Sequence, residues 1–183
     1  MTVLNTNDAL ILIIDIQEKL LNATFNKDIV KNKSEIFAKT ANILEMPCII
    51  TEQYPKGLGR TIPEITNNLS DKQLNYFEKA EFNALKDIEL LNLLKKSNRQ
   101  QVVLVGIETH ICVRQTAEAL IHEGFEVSIV KDICGSRAEE EHLAGLDIMK
   151  QEGCFIKTTE MILFELLKSA KHPKFKEIQM LIK

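Results

Sequence analysis

Tryptophan is absent from this chain, tyrosine occurs twice and phenylalanine eight times, so an aromatic wall for a ligand has few residues to draw on and no local motif marks one. Cysteine is sparse too. Cys48, Cys112, Cys134 and Cys154 lie far apart, with no C-x-x-C pair and no zinc-finger spacing with the four histidines, which argues against disulfides and a structural metal. No block of lysine and arginine stands out and the net charge is −3, so the electrostatic footprint for nucleic acid or an anionic membrane is missing. A small-molecule partner is the default that remains. The N-terminal MTVLNTNDAL has no basic region before its apolar run, and that run, Ala9 to Ile14, is too short for a signal or membrane helix. A cytoplasmic location is therefore expected. Internal repeats, low-complexity tracts and linkers are lacking, and 183 residues with 45% hydrophobic content suit one domain, residues 1–183, with a sizeable core.

What is present is an alternation. Apolar, β-type runs at Leu10 to Ile14, Cys48 to Thr51, Val102 to Val105, Val127 to Val130 and Cys154 to Ile156 are separated by helical patterns. A short segment around Tyr76 and Phe77 is a candidate sixth strand. The pattern predicts an α/β architecture with a mostly parallel sheet covered on both faces. Helix punctuation agrees: Ser136 with Glu139 forms an S-x-x-E capping box, Gly124 and Gly153 are placed to end helices, and Thr158 or Thr159 opens another. The one long irregular stretch, about Thr51 to Gln73, is read as a lid or an oligomer contact.

In an open α/β sheet the ligand crevice lies outside the carboxyl ends of the strands. Asp15 and Gln17 follow the first strand, Lys79 lies in FEKAEF after the short segment, and IETHIC follows a later strand. In QVVLVGIETHICV, Thr109 can cap the helical pattern that follows, which puts Cys112 in the first turn. Unpaired N–H groups and the helix dipole there favour a thiolate. Taken singly, each residue has an ordinary structural explanation: a small buried hydrophobe for Cys112, a turn for Asp15, a solvated ion pair for Lys79. Together they supply a base, an electrostatic partner and a nucleophile. His110 invites assignment as the base but lies two residues from Cys112, on another helical face. Cys134, in KDICGSR, precedes a helix cap rather than occupying a first turn.

GIETHICV, with ILIIDIQEKL upstream, FEKAEF between them, and KDICGSR and TTEMILFELL downstream, resembles the isochorismatase-like cysteine hydrolase family over roughly residues 8 to 182. The nearest resemblance is to the small branch with Ile-Glu-Thr-His before the cysteine. It implies a three-layer, Rossmann-like sandwich around a six-stranded parallel sheet in the order 3-2-1-4-5-6. It also implies a catalytic triad of Asp15, Lys79 and Cys112, a cis peptide at Ile107–Glu108, and an oxyanion hole from the Glu108 and Cys112 N–H groups. The family's nicotinamidases place a metal after the second strand with aspartate and histidines; here that stretch reads TEQYPKGLG, which has neither, so no metal or other cofactor is expected.

The expected reaction is hydrolysis of an amide or related C–N bond. Asp15 takes the thiol proton, Cys112 attacks the carbonyl, and Lys79 lowers the cost of the thiolate. Gln17 is a candidate for holding a substrate carbonyl or a water. Two other uses stay open: a fold kept for binding or assembly with weak or no catalysis, and a redox-sensing thiol, which requires a resolving cysteine. The stretch from Thr158 to Lys183 is amphipathic and suits a homo-oligomer contact as well as sheet coverage.

Overall fold

The computed structural model describes residues 3–183. Its central strands are apolar on both faces, the condition for helices to cover each side of a parallel sheet. Strand β1 (Ala9–Ile14) shows the two-residue alternation. Ala9, Ile11 and Ile13 join one core with Val103 and Val105, whereas Leu10, Leu12 and Ile14 join a second with Val102 and Leu104. Burial of each such leucine or isoleucine contributes about 1.5–3 kcal/mol.

After β1 come α1 (Glu18–Asn22), α2 (Lys27–Ile43), β2 (Cys48–Gln53), the one-turn helices α3 (Pro55–Leu58) and α4 (Pro63–Thr66), and β3 (Leu74–Lys79). The second half holds α5 (Ile88–Lys96), β4 (Gln101–Ile107), a π-turn (Thr109–Val113), α6 (Arg114–His122), β5 (Glu126–Gly135), α7 (Glu139–Gln151), β6 (Phe155–Lys157), α8 (Thr159–Leu167) and α9 (Phe175–Gln179). The six strands form one parallel sheet in the order β3-β2-β1-β4-β5-β6. Residues of α2, α8 and α9 pack on the first core and those of α5, α6 and α7 on the second. No helix among the described residues is long and apolar enough to cross a membrane.

Local chemistry explains the boundaries. The Asp87 carboxylate accepts from the N–H groups of Glu89 and Leu90 to start α5, and the Thr158 hydroxyl accepts from Met161 N–H to start α8. Gly124 and Gly153 take positive φ just beyond α6 and α7. Three expectations are corrected. Ser136 and Glu139 do not form a capping box: α7 starts at Glu139 with Ala138 at the cap position, and the Ser136 hydroxyl bonds His110 instead. Thr109 is not an N-cap, because Glu108 holds that position and Thr109 Oγ1 is engaged by His142 Nδ1 at 2.9 Å. The stretch from Thr51 to Gln73 is not one irregular loop, since β2 runs on to Gln53 and α3 and α4 follow.

β1 lies between β2 and β4, and the chain winds outward from it in opposite directions. The strand order therefore switches at β1/β4, which opens a crevice at the carboxyl ends of these strands. Gly106 lets the two strands close up there. It has φ +149, and a Cβ in its place would sit 2.3 Å from the Ile14 carbonyl oxygen.

Candidate active site

At Asp15 the first strand leaves the ladder. Its backbone takes φ 49, its N–H still donates to Thr51 O at 3.1 Å, and its side chain turns along the top of the sheet. The carboxylate is fully buried. Thr51 Oγ1 donates to Oδ1 at 2.7 Å, and Lys79 Nζ pairs with Oδ2 at 2.5 Å. Lys79 is the last residue of β3 and its side chain is 2% exposed. A buried ion pair forfeits hydration that its Coulomb attraction must recover, so it persists only with supporting hydrogen bonds. Here Lys79 Nζ also donates to Gln53 Oε1 at 2.6 Å and to Glu81 O at 3.2 Å.

Register explains why these groups meet. Thr51 and Gln53 are two apart on β2 and continue the face of Ile49, while Gln53 lies directly opposite Lys79 across the β2/β3 pair. That is also the face on which Cys112 and Val113 pack. The structure thus brings Asp15, Lys79 and Cys112 together, with the carboxylate and the ammonium both acting on the Cys112 thiol. Cys112 is 7% exposed.

The expectation of a helix-start thiolate is corrected. Burial pushes the Cys112 thiol up to about 11, with Lys79 pulling it down and Asp15 pushing it further up. Burial takes Cys48, Cys134 and Cys154 to about 12, and none of these three has a cation acting on it. Cys134 is inside β5 rather than after it, fully buried, and its carbonyl accepts from Asn26 Nδ2.

Cys112 sits in the π-turn that links β4 to α6. The N–H groups of Ile111 and Val113 both donate to Glu108 O, at 3.1 and 3.2 Å. Such a turn tolerates one extra residue per hydrogen-bonded ring and recurs at functional sites. The Ile107–Glu108 peptide is cis. The Glu108 carboxylate accepts from Arg137 N and Nε, at 2.9 and 3.0 Å. His110 points elsewhere, with Nδ1 bonded to Ser136 Oγ at 3.0 Å and Nε2 3.7 Å from Glu141.

Gln17, expected to hold a substrate carbonyl or a water, turns its side chain to the backbone in this structure. Its side chain is fully buried and spent on the backbone: Oε1 accepts from Gln53 N at 2.7 Å, and Nε2 donates to Gln53 O at 3.1 Å and Gly59 O at 2.5 Å. Sequence reasoning missed Thr51 and Gln53, although the signal was there. In CIITEQ two polar residues share one face at the end of a buried strand, where an unpartnered polar group would be costly.

Beside the site, Glu52 takes a different role. Burial alone would push its carboxyl up, but the Thr61 N–H, Arg60 and the Thr61 hydroxyl outweigh that and hold it below the usual range. The carboxylate thereby straps the α3–α4 segment to β2. Among the described residues no group of three or more His, Cys, Asp or Glu is arranged to hold a metal ion.

Known proteins share this arrangement of the chain. A family model described as the Isochorismatase domain matches residues 9–161. Isochorismatase family protein 1A of Dictyostelium discoideum is 39% identical over 178 residues, spanning 96% of this chain and 86% of that protein. The MAR1 ribonuclease of Caenorhabditis elegans superposes with a TM-score of 0.93 at 34% identity, over 99% of this chain and 92% of its own. YcaC from Pseudomonas aeruginosa, solved with hexane-2,5-diol and covalent acrylamide, gives 0.90 at 25% identity over 97% and 90%.

Proposed function

Because the chain belongs to the isochorismatase family, whose members are generally hydrolases, we propose that it hydrolyses a small-molecule amide or related C–N bond with Cys112 as nucleophile. The observation that carries this reading is the buried Asp15–Lys79 ion pair acting on the neighbouring Cys112 thiol.

With the thiol at about 11, losing its proton in the resting site is uphill. Transfer to Asp15 therefore accompanies attack, because the charge arriving on sulfur passes on to the carbonyl oxygen as the C–S bond forms. The N–H groups of Glu108 and Cys112, at the head of the π-turn, receive that oxyanion. Loss of one such donor typically costs about 10²–10³ in rate. Asp15 then gives its proton to the leaving nitrogen as the C–N bond breaks, which leaves a thioester on Cys112. Water attacks the thioester and gives a proton to Asp15; as the C–S bond breaks Asp15 returns that proton to sulfur, which releases the carboxylic acid and restores both thiol and carboxylate. Lys79 opposes the negative charge that moves between Asp15, sulfur and substrate.

The reducing cytoplasm is the matching compartment, since all four cysteines are free. Self-association belongs to the same reading: Met161 and Phe164 on α8 are 49% and 40% exposed, and light scattering of the purified protein checks it.

The test is intact-mass trapping of an acyl adduct with a mixed amide library. The adduct should form on Cys112 in the wild type, be absent in Cys112→Ala, and fall strongly in Asp15→Asn and Lys79→Ala. No Cys112-dependent adduct or turnover, with the cellular role intact in Cys112→Ala, would establish a binding or assembly role instead. A Cys112–Cys134 disulfide after mild peroxide would point to a redox sensor. Because the C. elegans relative is called a ribonuclease, single-stranded RNA belongs in the panel. Its Cys112-dependent cleavage would displace the amide reading, against which the chain's charge of −3 already weighs.

A further inference from the structure

We propose that Gln53 is the positioning residue for Lys79, and that Gln17 in turn positions Gln53. The inference rests on the reading above, in which Lys79 supports charge at Cys112.

Lys79 Nζ donates to Gln53 Oε1 and Glu81 O and forms a close ion pair with Asp15 Oδ2. The Glu81 carbonyl is two residues away on the same segment and moves with the lysine. Only Asp15 and Gln53 tie the ammonium to the rest of the sheet. Asp15, however, loses its negative charge during the cycle, when it holds the thiol proton. At that stage its pull on the ammonium weakens and Gln53, neutral throughout, is the acceptor that keeps Lys79 beside sulfur.

The Gln53 carboxamide is oriented for this. Lys79 only donates and Ala80 O only accepts, so Oε1 faces the ammonium at 2.6 Å and Nε2 faces the carbonyl at 2.7 Å. Its backbone is held by an unusual neighbour. β1 leaves the ladder at Asp15, so no β1 peptide is left to pair with Gln53. The Gln17 side chain takes that place, accepting from Gln53 N and donating to Gln53 O like a peptide group of an adjacent strand.

The test needs no substrate. The rate of Cys112 alkylation by acrylamide is followed from pH 7 to 10 by peptide mass spectrometry on the full-length protein, with melting temperatures measured in parallel. Gln53→Met, of similar length but unable to accept, is expected to slow alkylation about 3–10-fold on the rising limb, equivalent to up to about one pH unit of displacement. Gln53→Glu keeps the shape and adds an anion beside the ammonium, so its profile should move at least as far. Gln17→Met should move it less, in the same direction. A Gln53 of merely structural value would lower the melting temperature and leave the profile in place. An unmoved profile in folded Gln53→Met overturns the proposal, and if that variant does not fold, an unmoved profile in Gln53→Glu does so. An unmoved profile in Gln17→Met removes Gln17 alone. Lys79→Met separates the two levels: if it leaves the profile unchanged, the role given to Lys79 in catalysis fails, whereas a shift there without one at Gln53 sinks only the positioning role.

Discussion

The two sides of the crevice are built by different physics. On the β1–β2–β3 side, Asp15, Thr51 and Lys79 are polar and buried, Gln53 is half-buried beside them, and hydrogen bonds and an ion pair hold the four together. On the β4–β5 side, the π-turn carrying Cys112 is placed by close backbone packing, with Gly106 against Ile14 and Gly145 of α7 against His110. One side therefore fixes charge and the other fixes position. Substitutions should divide accordingly: those on the first side change the chemistry of the thiol, and those on the second change geometry and stability.

The sharpest way to break this division is Asp15→Asn. Loss of the base should lower Cys112-dependent turnover by about 10²–10⁴. Alkylation of Cys112 at neutral pH should move the opposite way and speed up, because the Asp15 charge raises the thiol pKa and its removal frees Lys79 to pair with a thiolate. Turnover and alkylation measured on one sample check this. If both fall together, Asp15 acts by holding the site's shape and the division is wrong.

Next in size is Gly106→Ala. A methyl group 2.3 Å from Ile14 O, at a φ that L-residues rarely adopt, requires the ends of β1 and β4 to part. We expect a loss of about 2–4 kcal/mol, read from urea unfolding. Because β1 leads directly to Asp15, this variant should also lose turnover, joining the two sides in a way no polar substitution does.

How much of this was legible beforehand follows the same line. The strands of the sheet were readable because burial on both faces makes them continuous apolar runs, as in LILII and VVLV. The strand order came from the family resemblance; Asp15, Lys79 and Cys112 stood out by their placement after strands, and the resemblance made them a triad, since residues 64 and 33 positions apart are brought together only by topology. Gln53 was hidden for a physical reason: its meaning depends on the β2/β3 register, which no local pattern carries. The misread caps were local too. Ser136 and Thr109 have the right residue type for N-caps, but His110 and His142 compete for their hydroxyls. The thiolate expectation failed because a helix start lowers a thiol's pKa only where water or a cation shares the charge, and burial dominates at Cys112.

Smaller effects probe the packed side alone. In Gly145→Ala the new methyl would meet His110 Cα at 2.9 Å and N at 3.0 Å, backbone atoms that cannot swing aside. The cost should be about 1–3 kcal/mol. The Asp15–Lys79 pair is not touched, so the pH dependence of alkylation should keep its shape while its amplitude changes. A displaced profile would show that the position of the π-turn also tunes charge.

The smallest expected effect is a pH dependence at the same contact. His142 stacks near Phe25 and bonds Thr109, and its pKa is lowered below 6.5 first by burial and then by Lys131, against an opposing pull from Glu139. Well above pH 6.5 the imidazole is neutral in both folded and unfolded chains and adds no pH dependence. As the pH falls below that value the unfolded chain takes up the proton first, so stability declines until the folded-state pKa is reached and then levels off. His142→Gln removes this titration. Melting temperatures of wild type and His142→Gln from pH 8 to 5 should run parallel in the upper range and converge or cross in the lower. Parallel curves throughout would mean that the α7 contact on the π-turn carries no titrating group, leaving close packing as the sole device on that side of the crevice.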